Sequence, residues 1–433
     1  SGAAYAAQPF IDHSNPDLTV MSFYEIPYAE GVTFVHRTAQ VFPDTDAGTV
    51  TGRASYQFQN ASGQEQSVSF GINPGYAISN VQANGADVPF TVSAYQEYNE
   101  ALLEVTIPAE EDVELTMEYS GFPQESMPTM QGGKELSREY LCLENSALSP
   151  RVMNVMPGEA GYPAEIEITL PENMLAIPFG SSEAEVVAEH EDGTRTWRYE
   201  HNGAGGILYA GDYIREDIEA GGMTIEFYYG RKHQAVMEAA KAVEAVKEVV
   251  DYCTEHYGPL SFGTGETLKL IQSRVAGGGY ATTGASLLDE ADFTAANLNR
   301  AEKGSGDSEV MIHELVHQWW GLGNMFDIPE PDSPWSAEGL TVYTTYRIVK
   351  ELYGEDYARE HYVDQWQKAV DDYYLNFYVR NPEYLEMLPE QVQLAISNSL
   401  SQVRQYNEMP LKIWKAEQLV GGEEAMDQIL HGL

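Results

Sequence analysis

Apolar and polar positions alternate in short runs through the first half of the chain. Val32-Thr-Phe-Val-His-Arg-Thr-Ala-Gln-Val-Phe42 and Ala54-Ser-Tyr-Gln-Phe-Gln59 are rich in β-branched and aromatic residues and partly alternate, the pattern of strands buried on one face. Asn84-Gly85 lies between Ile78–Val81 and Val88–Val92, and Asp192-Gly193 lies between Val186–Ala188 and Thr196–Tyr199. Both dipeptides supply the positive φ angles that tight hairpin turns require. Further strands are predicted over Val113–Tyr119, Ala164–Leu170 and Met223–Tyr229, and no long helical period interrupts them. The expectation is an N-terminal antiparallel β-domain of more than one sheet over residues 22–229, preceded by a tag or linker segment over residues 1–21.

The period changes at Gly230. Val236, Ala240, Val243, Val246, Val250, Cys253 and Tyr257 recur every three or four residues, one stripe of an amphipathic helix that ends at Gly258-Pro259. Two apolar strand-like pieces follow, Leu268–Ile271 and Ala285–Leu288, on either side of the run Gly277-Gly278-Gly279. From about Ser308 onward the pattern is mostly helical. Ser333-Pro334 supplies an N-cap and first helical residue for a helix running to Gly354, after an acidic, Pro-rich loop over Ile328–Pro334. The fold class is therefore α+β and multi-domain, with residues 230–433 forming a second, mainly helical domain.

Composition adds exclusions. Of 433 residues, 43% are hydrophobic and 11% aromatic, which excludes a disordered or fibrous chain. The 24 basic and 67 acidic side chains leave a net charge of −43, which argues against nucleic acid or an anionic membrane as partner, because both would be repelled. No apolar run approaches the roughly 18 residues needed to span a bilayer. The Ser1-Gly2 start looks processed or engineered, which leaves room for a removed signal peptide or flanking transmembrane segments. Cys142 and Cys253 are too few for a disulfide framework and sit in no CxxC, so both are expected to be buried free thiols.

The chemistry is concentrated in His313-Glu314-Leu315-Val316-His317. Residues four apart on a helix lie one above the other, so both imidazoles can share one Zn²⁺. Glu314 then lies beside the metal's open position, where a carboxylate can take a proton from water. Only roughly a few percent of random chains of this composition would show the pattern, so it carries weight. The surrounding Glu309-Val-Met-Ile-His-Glu-Leu-Val-His-Gln-Trp-Trp320 is strongly apolar between the ligands, as a helix buried through a domain would be. A hydrolytic zinc site wants a third protein ligand. Trp335-Ser-Ala-Glu338-Gly-Leu-Thr-Val-Tyr343 offers Glu338, separated from His317 by twenty residues, in the first turns of the next helix.

His-Glu-Leu-Val-His-Gln-Trp-Trp-Gly followed by Trp-Ser-Ala-Glu-Gly-Leu-Thr-Val-Tyr resembles the aminopeptidase N-like zinc peptidases, a gluzincin family that includes leukotriene hydrolase. The resemblance extends to the order of parts, a β-domain and then a thermolysin-like catalytic domain. It implies His313, His317 and Glu338 as zinc ligands, one zinc per chain, and Glu314 as the general base. The family's catalytic tyrosine lies in a Tyr-x-Lys-Gly-like helix past the third ligand. Arg404-Gln-Tyr406-Asn-Glu-Met-Pro matches in layout, which makes Tyr406 the implied donor to the oxyanion.

The chain also departs from the family. Where its members read Gly-Ala-Met-Glu-Asn and use the Glu to grip a substrate's free amine, this chain reads Ala276-Gly277-Gly278-Gly279-Tyr280-Ala281. Gly278 and Gly279 keep a backbone that a substrate strand can approach, while Tyr280 or Ala281 stands in place of the Glu. Glu144, in Leu141-Cys142-Leu143-Glu144, is the counterpart of a second amine-facing carboxylate in the β-domain, without the family's neighbouring Gln. Val342 occupies the position where thermolysin-type sites often carry an acid that orients a ligand histidine, so such a partner must come from elsewhere. The family's C-terminal helical domain is expected to be absent.

The expected function is a zinc-dependent metallopeptidase acting on peptides, aminopeptidase-like with altered recognition of the N-terminal amine. The alternative is a peptide-binding or regulatory ectodomain that keeps zinc with little turnover; an epoxide hydrolase, which the family contains, is a distant third. The chain is expected to be a monomer, on the bacterial cell surface or secreted, with the cytoplasm as the other compartment.

Overall fold

The structure is a computed structural model, and it describes residues 26–95, 100–124, 136–180, 182–260, 267–273, 279–282, 284–289, 309–326 and 335–431. The proposed linker over residues 1–21, Gly278, and the Ser333-Pro334 helix start with its preceding loop lie outside the described residues.

The chain divides into two compact units between Tyr213 and Ile214. In the first, a nine-stranded sheet has Val32–Asp44 and Thr49–Asn60 at its middle, extended through Asp112–Gly121 and Tyr76–Ala83 on one side and through Pro163–Pro171 and Thr194–Asn202 on the other. The period of two is plain on Thr49–Asn60, where Val50, Ala54, Tyr56 and Phe58 are buried and Thr51, Arg53, Gln57 and Gln59 are exposed. Gly52 continues the buried row because a Cβ there would meet the Tyr119 ring at 2.1 Å. Smaller sheets, one containing Gln66–Ile72 and Glu100–Ile107 and one containing Tyr140–Glu144 and Ile207–Gly211, pack on the same core. The expected turns form, with Asn84 at φ 49° and Gly85 at 81° before Ala86–Asp87, and Gly193 at 79° before Thr194–Asn202. Two pairings correct the purely antiparallel expectation: Val32–Asp44 runs parallel to Pro163–Pro171, with Arg37 opposite Ala164, and to the short strand Met156–Pro157, with Thr33 opposite Met156.

The second unit starts one hairpin earlier than the sequence texture indicates. Its five-stranded sheet runs in the order Tyr213–Ala220, Met223–Gly230, Thr267–Ser273, Ala285–Asp289, Gly279–Thr282. The first pair looks like more β-domain in sequence but packs with helices of the second unit, since Ile218, Ile225, Phe227 and Tyr229 share a core with Val246, Val250 and Trp319. Met223–Gly230, Thr267–Ser273 and Ala285–Asp289 are mutually parallel, and Gly279–Thr282 closes the edge antiparallel to its neighbour. The predicted amphipathic helix is two pieces, Gln234–Ala239 and Ala242–Tyr257, broken where Lys241 takes φ 52°. Cys142 and Cys253 are both buried, and neither is in a disulfide. Among the described residues, no helix is long and apolar enough to cross a membrane.

Candidate metal centre

The helix Glu309–Val316 carries the first histidine, and the chain holds the helical path one residue further, with the His317 N–H donating to His313 O at 3.1 Å. The two imidazoles stand one turn apart, ring centroids 4.6 Å from each other and nearly perpendicular. The aromatic residues after them anchor this helix end. Trp319 and Trp320 are fully buried; the Trp319 indole N–H donates to Gly258 O at 2.8 Å and the Trp320 indole N–H to Thr344 Oγ1 at 3.0 Å. Burying the rings while satisfying each N–H fixes both the depth and the rotation of the helix end.

Glu338 arrives from the next segment, on a wide turn over Trp335–Gly339 that leads directly into the helix Leu340–Tyr353. Such widened turns are uncommon and often carry functional side chains. Glu338 Oε2 lies 3.1 Å from His313 Nε2 and 3.3 Å from His317 Nε2. His317 Nδ1 is 3.1 Å from the Trp320 carbonyl and 3.2 Å from Thr341 Oγ1. The histidine's orienting partner is therefore a backbone carbonyl, with Thr341 beside it, and no acid at the Val342 position is needed.

Both imidazole Nε2 atoms face Glu338 Oε2, a buried atom that has no hydrogen-bond partner among the described residues. One ligand atom from each of His313, His317 and Glu338 falls within 4.8 Å of the others. Two imidazole nitrogens and a carboxylate oxygen that converge in this way are the donor set of a hydrolytic zinc site. The electrostatics agree that the cluster is built to hold positive charge. Burial alone would lower the His317 imidazole, but Glu338 outweighs it and raises it to about 9. Burial would raise Glu338, yet the two imidazoles hold it well below the usual carboxylate range.

Glu314 points from the same helix and is 7% exposed. Burial pushes its carboxyl up, against the pull of the two imidazoles. It faces the edge strand Gly279–Thr282, where a Cβ at Gly279 would meet Glu314 Cγ at 2.3 Å. The neighbouring strand Ala285–Asp289, which pairs with it, is fastened to the motif helix by side chains that residue patterning does not single out. Gln318 accepts the Gly284 N–H at 3.0 Å and donates to Ala285 O at 3.3 Å and Ser286 Oγ at 3.1 Å. The Ser286 hydroxyl in turn donates to Glu314 O at 2.7 Å. Gln318 could have been noticed, as a polar residue inside the apolar string that follows the second histidine.

Tyr406 comes from another wide turn, Arg404–Glu408, and its ring centroid lies 6.2 Å from that of His313. Burial, and the Glu338 and Glu314 carboxylates, push its phenol well above the usual range, so it stays protonated and able to donate. The structure thus brings His313, His317, Glu338, Glu314, Tyr406 and Gly279 together. Tyr280 and Ala281 are on the edge strand, opposite Leu287 and Ser286. Glu144 belongs to the first unit, where it is buried at the end of the strand Tyr140–Glu144, opposite Ile207.

The fold and this donor set are ones that zinc metallopeptidases also have. Residues 241–378 match the peptidase family M1 domain, the family to which the aminopeptidase N-like resemblance points. Leucine aminopeptidase 2 of Emericella nidulans is 30% identical over 97 residues, 22% of this chain and 15% of that protein. Among solved structures, native yeast LTA4 hydrolase aligns with a TM-score of 0.54 at 12% identity, covering 93% of this chain and 61% of that one. The M1 zinc metallopeptidase from Deinococcus radiodurans aligns with a TM-score of 0.52 at 18% identity, covering 94% of this chain and 87% of that one. At these identities the structural likenesses show the fold. This chain spans less than two thirds of the yeast enzyme and a far smaller share of the curated relative.

Proposed function

We propose that the chain is a zinc-dependent peptidase holding one zinc at His313, His317 and Glu338. The observation that carries the reading is the convergence of those three donor atoms within 4.8 Å beside a buried Glu314 and an edge strand. Zinc, when bound, supplies a Lewis acid that makes a water more acidic and polarises a carbonyl. Glu314, whose proton affinity is raised by burial, accepts the proton from water and returns it to the departing amine. Tyr406 donates its O–H where negative charge develops on the carbonyl oxygen. The outer edge of Gly279–Thr282 gives a peptide substrate a strand to pair with.

The same strand supports a departure from ordinary aminopeptidases, because Tyr280 and Ala281 offer no carboxylate to a free amine. The positions of Glu314 and Tyr406 favour turnover over the alternative of a peptide-binding domain. Peptide hydrolysis by the wild type and by Glu314→Gln, each loaded with zinc, tests the reading. Zinc-dependent cleavage that the substitution abolishes supports it, and a zinc-loaded wild type inert across a mixed peptide library would overturn it.

A further inference from the structure

Glu408 is a buried carboxylate outside the metal cluster, 5% exposed, two residues past Tyr406 on the same wide turn. Its partners come from separate elements. The Tyr374 hydroxyl, on the helix Asp364–Leu375, donates to Glu408 Oε1 at 2.8 Å. Arg404 Nε donates to Oε2 at 3.0 Å, and Lys412 Nζ lies 3.2 Å from Oε1. Burial pushes the Glu408 carboxyl up, and the donors outweigh it and hold it below its ordinary value. The charge is fixed in place by the surrounding helices.

The turn requires such fixing. The Met409 N–H donates to Arg404 O, five residues back, so the helix here carries one residue more than an α-turn would. Pro410 accounts for part of this. It has no N–H to give to the Tyr406 carbonyl, and its ring crowds that oxygen. Tightening to α geometry would swing side chains on the turn by about 100° per residue, and Tyr406 would leave His313.

We propose that Glu408 is a positioning residue for Tyr406. By tying the Arg404–Glu408 turn to the helix Asp364–Leu375 through Tyr374, it sets the direction in which the phenol points. The proposal rests on the reading of Tyr406 as a donor to the reacting carbonyl.

A cycle of wild type, Glu408→Ala, Tyr406→Phe and the double variant on one peptide substrate tests it, with zinc content measured for each. Glu408→Ala is expected to lower kcat by about 2–30-fold with KM little changed, the scale of couplings transmitted through packed neighbours. In the Tyr406→Phe background the same change is expected to add nothing. An equal loss in both backgrounds overturns the proposal and leaves the role of Tyr406 standing. A Tyr406→Phe variant of full activity overturns both. Because Glu408→Ala strips several bonds at once, Tyr374→Phe provides the gentler arm, removing only a hydroxyl from a side chain that is 55% exposed. A smaller drop in kcat that vanishes with Tyr406→Phe is expected there, and an unchanged kcat overturns the tether.

Discussion

Gly279 and Glu314 are in contact so close that no other residue fits between the edge strand and the motif helix: a Cβ at 279 would lie 2.3 Å from Glu314 Cγ. The closeness brings the strand proposed to pair with substrate directly against the carboxylate proposed to move the proton. Gly279→Ala must therefore displace one or the other by a large fraction of an ångström. The expected outcome is a loss of about 10²-fold in kcat, the cost of misplacing a reacting group by roughly 1 Å. Zinc content should not change, because no ligand is touched. Steady-state kinetics with elemental analysis on the purified variant checks both, and full activity would mean that strand and base have room to spare.

Metal binding should depend unequally on the three donors. His313→Ala or His317→Ala leaves two donors and is expected to abolish stoichiometric zinc. Glu338→Ala keeps both imidazoles and is expected to weaken binding without erasing it. The wild type should carry about one zinc per chain, the load of a single site of this donor set, and lose it to a chelator. Elemental analysis and a zinc competition titration decide the order, and an unaltered zinc load in His317→Ala would refute the ligand assignment.

Glu314→Gln and Tyr406→Phe separate the proton carrier from the oxyanion donor. The first should retain zinc and lose about 10²–10⁴ in turnover, the usual worth of a positioned general base. The second should lose about 10²–10³ in kcat with KM nearly constant. If the phenylalanine variant is silent on a substrate that the Gln variant cannot cleave, another donor stabilises the oxyanion.

These residues were legible to different degrees, for physical reasons. Val50, Ala54, Tyr56 and Phe58 announce their strand because alternation is a local property of one segment. The parallel pairing of Arg37 with Ala164 could not be read, since nothing in either segment encodes a partner so distant in sequence. The domain boundary was misplaced because Tyr213–Ala220 and Met223–Gly230 look like any strands, and only their packing assigns them to the second unit. At the site, the motif gives both histidines and Glu314, because a fixed helical spacing aims them at one point. The partner of His317 is a backbone carbonyl, at Trp320, which leaves no signature in residue identity. The wide turn under Tyr406 had one sign, Pro410, whose effect depends on a helix continuing on both sides of it.

Remote from the metal, Arg347 is the buried cation that holds the last helix. Its guanidinium, 1% exposed, donates to Asp427 at 3.0 and 2.9 Å and to the Tyr343 hydroxyl at 2.8 Å. Arg347→Leu would leave Asp427 largely buried without its main cation. The expected cost is about 3–5 kcal/mol of unfolding free energy, the usual result of breaking one side of a buried pair. Urea denaturation measures it, and a loss below about 1 kcal/mol would place the pair with ordinary surface bridges.

Substrate choice is the prediction on which the sequence departs furthest from the resemblance. A peptidase that selects free N-termini must hold an ammonium group out of water, and that requires a carboxylate aimed at it. On the edge strand the candidate positions are Tyr280 and Ala281, and neither side chain can serve. Glu144, in the first unit, is the remaining candidate, and it lacks the neighbouring Gln of the resembled segment. The expected behaviour is weak cleavage of single amino-acid anilides, whose only handle is the amine. Longer peptides should do better, because they can pair along Gly279–Thr282. The ratio of kcat/KM for matched free and N-acetylated peptides reads this directly, and it should fall well short of the preference that a dedicated polar site gives. A preference of about 10⁴-fold or more for the free amine would show that such a site exists after all. Glu144→Gln then says whether that carboxylate supplies it: an unchanged ratio would exclude Glu144, and a collapsed ratio would assign it the amine.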